Sequence, residues 1–197
     1  PLVAVELSFD GHFELTEKDA DVLIQISGGA VLWQKERLLN IALGSVPPDV
    51  DNIAWIDCDV IFDRSDWVDE ANKQLDEFSV VQLLSDQVDL RPQDHHTNFD
   101  YQDLPPSGRG IVAMVRENES GGLPVPGQNR RSFAWGLAWA ARLQILENHG
   151  FYDTRTRGGG TRAMVTAIHA PFERLSDRLH PRQGRALTGR ALGWLLA

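Results

Sequence analysis

The first 85 residues alternate between short apolar runs and longer amphipathic ones. Four of the short runs are mostly apolar and are bounded by polar or helix-breaking residues, which predicts β-strands. They are LVAVELSF (2–9), DVLIQI (21–26), NIAWIDCDVIF (52–62) and SVVQLLS (79–85). Strands that alternate with helices are typical of an α/β sheet with much parallel pairing, and this is the fold class that we predict.

Two helices are predicted among these strands. The segment VLWQKERLLNIAL (31–43) contains no helix breaker and is followed by Gly44 and two prolines. The second helix runs from a cap at Ser65 or Asp66 to about Phe78, and its apolar residues lie on one face. The predicted order over this half is therefore strand, strand, helix, strand, helix, strand.

The pattern in the second half is less regular. The predicted segments are a polar loop (86–108), a segment that fits a strand or a helix (110–115), a second loop (117–131), a strand or turn followed by a helix that ends at Gly150 (132–150), and a helix in two pieces around Pro171 (162–179). Polar loops of this length inside a compact domain are usually functional or mobile.

The composition is that of an ordinary globular domain, with 42% hydrophobic and 24% charged residues. We expect a single domain over residues 1–197, made of the halves 1–85 and 86–180 and a tail, 181–197, for which we predict no structure. The net charge of -9 disfavours nucleic acid as a partner. The chain has no run of 18 apolar residues, so no membrane span is expected, and the single cysteine, Cys58, favours the reducing cytoplasm.

Two aspartates interrupt the most hydrophobic segment of the chain. Asp57 and Asp59 lie in the predicted strand 52–62, where alternate side chains share a face, and the apolar run before them predicts a central parallel strand. Two carboxylates on one face can share a hard divalent cation, and ligands bind at the carboxyl ends of strands in open α/β sheets. The alternative is that Asp57 is a solvated edge residue and Asp59 starts a loop.

The helix before this strand carries three polar residues within about two turns, namely Lys35, Arg37 and Asn40. Lysine and arginine contact phosphates or bases, and an asparagine amide both donates and accepts hydrogen bonds. These residues are therefore candidates for binding a phosphorylated ligand. A plain solvated helix face is the alternative interpretation.

The segment KERLLNIALGSVPPDVDNIAWIDCDVIF (35–62) resembles the nucleotide-sugar-binding half of GT-A glycosyltransferases, particularly bacterial family-2-like enzymes. In those, a helix with a basic residue and an asparagine precedes a strand that ends in DxD. The segment FAWGLAWAARLQILENHGFYDTRTRGGGTRAMVTA (133–167) resembles their galactosyltransferase-like acceptor region. The resemblance covers about residues 31–172. It implies a mixed, mostly parallel sheet flanked by helices, and an enzyme that transfers a hexose from a nucleotide sugar.

The resemblance also implies roles for residues of the first half. Asp57 would contact the ribose or sugar of the donor, and Asp59, together with Asp57, would bind Mn²⁺ or Mg²⁺, which neutralises the departing nucleoside diphosphate. Lys35, Arg37 and Asn40 would help to hold the nucleotide, and UDP-hexose is the expected donor.

In the second half, the resemblance implies a site for a carbohydrate or another hydroxyl acceptor. An aromatic platform and a glycine-rich turn would form this site, from Trp135, Trp139, Phe151, Tyr152, Gly159 and Gly160. Packing in the core is the alternative for these aromatic residues, chiefly for Trp139.

This chain departs from the family pattern at Thr161, where those enzymes have an acid after the glycines. That acid is the usual candidate for the general base, and Asp153, eight residues earlier, is the carboxylate that we retain as catalytic. The chain also lacks a counterpart of the family's first nucleotide-binding strand, so we expect a truncated or degenerate member. Two alternatives stay open: a protein of the same fold that binds nucleotide sugars without turnover, and a DxD phosphohydrolase with Asp57 as nucleophile.

Overall fold

The computed structural model describes residues 1–90, 105–117, 132–155 and 157–169. Within these residues, eight strands in three small sheets and five helices form a mixed α/β protein, which confirms the predicted class. The strands are β1 (Val3–Ser8), β2 (Val22–Ser27), β3 (Asn52–Ile56), β4 (Val80–Gln82), β5 (Asp86–Gln87), β6 (Gly108–Gly110), β7 (Ser132–Ala134) and β8 (Ala138–Arg142). The helices are α1 (Lys35–Leu43), α2 (Trp67–Glu77), α3 (Ile111–Glu117), α4 (Leu143–His149) and α5 (Gly160–His169).

The chain divides into two compact units. Unit 1 consists of Pro1–Asp51 and Leu143–Ala197, and unit 2 consists of Asn52–Arg142. Unit 1 is therefore built from two separate stretches of sequence, whereas unit 2 is continuous.

Unit 1 contains a two-stranded parallel sheet together with α1, α4 and α5. β1 and β2 pair over all six residues of each strand, and α1 packs on β1. α4 ends at His149, and Gly150 follows it with a φ of 64° and an N–H bond to the carbonyl of Leu146 (2.6 Å), which is the glycine stop that the sequence predicts.

The connection between β1 and β2 is fastened to the sheet by Glu6. Its carboxylate accepts the backbone N–H groups of Glu14 (2.6 Å) and Leu15 (3.2 Å) and the side-chain amide of Gln25 (3.0 Å). The bond from Glu14 contributes most to lowering the pKa of Glu6 below its ordinary value, because hydrogen bonds to a carboxylate favour its charged form.

The central sheet of unit 2 is built around β8, which pairs antiparallel with both β3 and β4. Four consecutive residues of β8, Ala138 to Ala141, are at most 2% exposed. α2 packs against β4 and β8, and the residues that it buries are Ala71 and Leu75, on the face predicted from the sequence. Small residues on β8 allow this close helix–sheet packing.

A second sheet of unit 2 joins β5, β6 and β7, with β6 in the middle. Buried Gln82, the last residue of β4, links this sheet to the rest of the unit: its amide donates to the carbonyl of Ala134 (2.7 Å), and its side-chain oxygen accepts the N–H of Val112 (3.0 Å). Gly110 passes so close that a Cβ there would lie 2.5 Å from the carbonyl oxygen of Leu84. Only glycine fits this position without a shift of the backbone.

The sheet arrangement differs from the prediction in two respects. Of the five strand pairings in the described residues, two are parallel and three are antiparallel, so the pairing there is not mostly parallel. Secondly, β3 is an outer strand of its sheet rather than a central parallel strand, and Ala54 and Ile56 are exposed. The reason is that β8 enters between β3 and β4 and runs opposite to both.

Several predicted boundaries also change. The helix predicted from residue 31 begins at Lys35, and Val31, Leu32 and Trp33 are 81%, 52% and 50% exposed. In the ambiguous segment 110–115, Gly110 is the last residue of β6 and residues 111–115 belong to α3. Parts of the predicted loops (residues 91–104 and 118–131), the break at Pro171 and the tail 181–197 lie outside the described residues. No helix in the described ranges has the length and apolar character that a membrane crossing needs.

Candidate functional site

The acidic pair of unit 2 lies in a turn and not in a strand. β3 ends at Ile56, and the carbonyl of Asp57 accepts the N–H of Val60 at 3.2 Å, which closes a turn over Asp57, Cys58 and Asp59. The prediction that strand alternation sets both carboxylates on one face is therefore wrong, because that alternation stops at Ile56. Both aspartates directly follow β3, but β3 is an outer strand that pairs antiparallel with β8, so the predicted site at the end of a central parallel strand is not what the structure shows.

We call residues 57–60 the acidic turn. A second turn, with strained backbone, is bonded to it. Leu137 has a φ of 70°, which a leucine rarely adopts, and the N–H of Ala138 donates to the carbonyl of Gly136 at 3.1 Å across it, as in a γ-turn. The carbonyl of Leu137 accepts the N–H of Asp57 at 2.7 Å. The reversed geometry at Leu137 thus aims its carbonyl at the acidic turn. We call residues 135–139 the Leu137 turn.

The Leu137 turn also brings backbone close to the Asp57 carboxylate. A Cβ on Gly136 would lie 3.9 Å from Oδ2 of Asp57, an ordinary contact distance. The turn is fixed from its other side by Trp139, whose indole N–H donates to the carbonyl of Trp135 at 3.0 Å. Asp57 is half-buried and Asp59 is exposed.

The acidic turn supplies two carboxylates as potential ligands for Mn²⁺ or Mg²⁺. Among the described residues, no group of three or more His, Cys, Asp or Glu side chains is arranged to hold a metal ion. A cation that is shared with nucleotide phosphates needs only one or two protein carboxylates, because phosphate oxygens and water complete its coordination. The acidic turn offers two carboxylates, of which that of Asp57 is half-buried and that of Asp59 is exposed.

The two tryptophans of the predicted acceptor platform have different environments. Trp139 is 1% exposed, is the second residue of β8 and pairs in register with Trp55, so it packs in the core. Trp135 is half-buried and makes an edge-to-face contact with Phe133, with ring centroids 6.5 Å apart. Trp135 therefore stays the better candidate of the two for contact with a ligand.

In unit 1, Asn40 connects α1 to the segment that follows α4. Its side-chain oxygen accepts the N–H of Phe151 at 2.6 Å, and its amide donates to the Phe151 carbonyl at 2.9 Å and to Oδ2 of Asp153 at 3.0 Å. The Asn40 amide thus bonds both the N–H and the carbonyl of Phe151, as the backbone of a neighbouring β-strand would. Gly150 must be glycine here, since its φ is 64° and a Cβ would lie 2.9 Å from the Asn40 oxygen.

Asp153 is shared between Asn40 and Arg37. Oδ2 of Asp153 lies 3.4 Å from Nη1 of Arg37, and the Asp153 side chain is 11% exposed while that of Arg37 is 61% exposed. The structure thus brings together three of the residues predicted for the site, with Asp153 on the inner side and Arg37 on the rim. Neighbouring Tyr152 is 7% exposed and Phe151 is 4% exposed, so both pack in the interior of unit 1.

Sequence reasoning missed a second connection in unit 1, made by Glu36. This carboxylate is 5% exposed and accepts the indole N–H of Trp33 at 2.9 Å. It also packs against Gly160, the first residue of α5, so closely that a Cβ on Gly160 would overlap it. A negative charge at a helix N-terminus is stabilised by the helix dipole. The sequence features that could have indicated this contact are an acidic residue on α1 and the three consecutive glycines at 158–160.

The three glycines at 158–160 each pack against a side chain, namely those of Trp33, Arg155 and Glu36 in turn. Gly158 and Gly159 have φ values of 77° and 84°, which favour glycine, and Gly160 leaves room for Glu36. Thr161, the departure from the family pattern, is half-buried in the first turn of α5. The carboxylate that the structure places at the start of α5 is therefore that of Glu36, supplied by α1. Lys35 is half-buried on the same helix.

Comparisons with protein-family models, with curated proteins and with solved structures found no match to this chain.

Proposed function

We propose that this chain is a metal-dependent glycosyltransferase with a GT-A-like fold that transfers a hexose from a nucleotide sugar, with UDP-hexose as the expected donor, to a hydroxyl acceptor. The observation that carries the proposal is the acidic turn. Asp57 and Asp59 follow β3 directly, and the bond from the Asp57 N–H to the Leu137 carbonyl (2.7 Å) fixes the backbone that presents them. Fixed carboxylates of this kind suit a cation that is shared with a diphosphate.

The roles of the acidic residues follow from their chemistry. A bound Mn²⁺ or Mg²⁺ neutralises the charge that develops on the departing nucleoside diphosphate. Asp57 and Asp59 would hold this cation, and the half-buried Asp57 would also orient the donor. The strain at Leu137 supports this assignment, since strained backbone is retained where a fixed geometry is needed.

In unit 1, Lys35 is half-buried and Arg37 is exposed, and each stays a candidate for contact with a phosphorylated ligand of that unit. The Asn40 amide already makes three hydrogen bonds, to Phe151 and Asp153, so we assign Asn40 a positioning role. On the acceptor side, Trp135 is the aromatic residue that we propose to contact a sugar ring.

A second candidate is a protein that binds a nucleotide sugar without transferring its hexose. The specific observation is that Oδ2 of Asp153 is already engaged by Asn40 and by Arg37. A general base must reach the acceptor hydroxyl with an available oxygen, and these two bonds hold Asp153 toward α1. Turnover assays separate this candidate from the transferase.

The proposal predicts metal-dependent binding of UDP that requires the acidic turn. By calorimetry with Mn²⁺ present, we expect Asp57→Ala and Asp59→Ala to weaken UDP binding by about tenfold or more, as expected for loss of a charge-assisted contact. Asp63→Ala is the matched control, because Asp63 is an exposed acid just after the turn. Circular dichroism checks that each variant is folded.

The outcomes separate the candidates. If UDP, GDP and their hexose conjugates all show no metal-dependent binding to the wild-type chain, both the transferase and the binding protein are refuted. Binding with no release of UDP from any UDP-hexose and acceptor pair selects the binding protein. Hydrolysis of a generic phosphoester, with a phosphorylated Asp57, would instead select the phosphohydrolase.

A further inference from the structure

Trp33 is an exposed tryptophan whose ring is nevertheless held on two sides. Half of its surface (50%) is open to solvent, and its indole N–H donates to the buried carboxylate of Glu36 at 2.9 Å. A Cβ on Gly158 would lie 3.4, 3.6 and 3.7 Å from Cδ2, Cε2 and Cγ of the ring. Cδ2 and Cε2 form the fused bond, which carries no hydrogens, so Gly158 lies against one face of the indole.

The anchoring of Trp33 differs from that of an ordinary surface aromatic residue. Glu36 is 5% exposed and is wedged against Gly160, so the bond that holds the indole N–H has a buried, fixed acceptor. A ring that is fixed before binding loses little conformational freedom when a ligand stacks on it. Gly158 lies against one face of Trp33 and 50% of the side chain is open to solvent, so we take the opposite face as the one for stacking.

The glycine-rich segment against which this ring lies carries three arginines. The guanidinium carbon of Arg155 would lie 3.5 Å from a Cβ on Gly159, so Trp33 and Arg155 are seated on consecutive glycines. The stretch from residue 154 to residue 172 carries Arg155, Arg157 and Arg162 and no acidic residue, in a chain of net charge -9. Arg157 and Arg162 are exposed. The ligand that suits this surface is planar on one part and anionic on another.

We propose that the open face of Trp33 stacks on the base of a nucleoside phosphate and that Arg155 contacts its phosphate. Bases of any sequence stack on tryptophan, and arginine beside an aromatic residue is a common phosphate contact. The proposal rests on the proposed function only in taking the ligand to be a nucleotide. It involves residues of unit 1 alone and needs no metal ion.

The test measures binding of nucleoside monophosphates in EDTA, so that no metal site contributes. UMP and GMP are titrated against the full chain by calorimetry, with ribose 5-phosphate as the ligand that lacks a base. We expect Trp33→Leu to weaken binding of the tighter nucleotide by about tenfold, the usual size of one base–aromatic stack, and to leave ribose 5-phosphate unchanged. Phe9→Leu is the control, because Phe9 is also 50% exposed and lies in the same unit.

A second variant separates stacking from folding. Trp33→Phe and Trp33→Leu both lose the hydrogen bond to Glu36, so both should lower Tm, but only Trp33→Phe keeps an aromatic face. Nucleotide affinity within about threefold of wild type in Trp33→Phe, together with the loss in Trp33→Leu, supports stacking. Equal losses in the two variants would reduce Trp33 to a structural residue and overturn the proposal.

Two further outcomes decide the remaining cases. If neither nucleotide binds the wild-type chain more tightly than ribose 5-phosphate, or if Phe9→Leu weakens binding as much as Trp33→Leu, the proposal is overturned. If metal-dependent UDP binding through Asp57 and Asp59 fails while UMP or GMP still requires Trp33, the proposed transferase fails and the stacking site stands.

Discussion

Asn40→Ala is the substitution that most directly tests how unit 1 is held together. In the folded chain this side chain pairs with both backbone groups of Phe151, which is 111 positions away in sequence, and with Asp153. Alanine keeps the helix propensity of α1 high, so loss of helix does not confuse the result. What the substitution removes is the long-range pairing alone.

The expected magnitude follows from the burial of Phe151. This residue is 4% exposed, so its N–H and carbonyl each lose a hydrogen bond to Asn40 at a place that is only partly open to water. A buried polar group that is left without a partner costs about 1–3 kcal/mol. Part of the cost is recovered by local rearrangement, and Arg37 still contacts Asp153 at 3.4 Å. We therefore expect Asn40→Ala to lower the free energy of unfolding by about 3 kcal/mol.

The assay is urea unfolding followed by circular dichroism, with the m-value checked so that the change is one of stability alone. Asn148→Ala is the matched control: Asn148 is exposed on α4 in the same unit, so the same substitution there should change stability by less than about 0.5 kcal/mol. A loss below about 1 kcal/mol for Asn40→Ala, or a loss equal to that of Asn148→Ala, would refute the argument from burial.

Two further predictions concern Gly160 and Glu6. Gly160→Ala should cost about 1–3 kcal/mol in the same assay, because its Cβ overlaps the buried Glu36 carboxylate, whereas Gly44→Ala should not, because its Cβ would meet only an ordinary contact of 3.5 Å. Glu6 has a lowered pKa in the folded state, so its charge stabilises the chain above the unfolded pKa and this contribution is lost as pH falls below 4.5. Glu6→Gln should therefore lower Tm at pH 7, and this difference should shrink as the pH falls through the folded-state pKa of Glu6; a Tm loss that does not change with pH would contradict it.

The local elements of the first half could be predicted from the sequence because they depend on neighbouring residues. The apolar runs predict β1 to β4, and the spacing of Ala71 and Leu75 predicts the buried face of α2. Glycine at position 150 predicts the end of α4, since glycine adopts positive φ without steric cost. Each of these signals lies within about one helical turn of the feature that it predicts.

The features that the sequence could not predict depend on residues far apart in the chain. Which strand enters between β3 and β4 is decided by β8, more than 50 positions beyond β4. The pairing of Asn40 with Phe151 and the packing of Glu36 on Gly160 are likewise long-range. The sequence predicts a ligand contact for Asn40, because a polar residue on a helix has no local mark that distinguishes a ligand contact from a structural one.

The positive φ of Leu137 is the most informative failure of prediction. Leucine pays a steric cost in this conformation of about 1–2 kcal/mol, so nothing in its side chain indicates such a turn. Position 136 is a glycine, which adopts positive φ without this cost, but the positive φ lies at Leu137 instead. The strained carbonyl is bonded to Asp57 at 2.7 Å. Local rules tend to be broken where function constrains the chain. Two separate observations therefore support a functional role for the acidic turn: its two carboxylates and the strained backbone that is bonded to it.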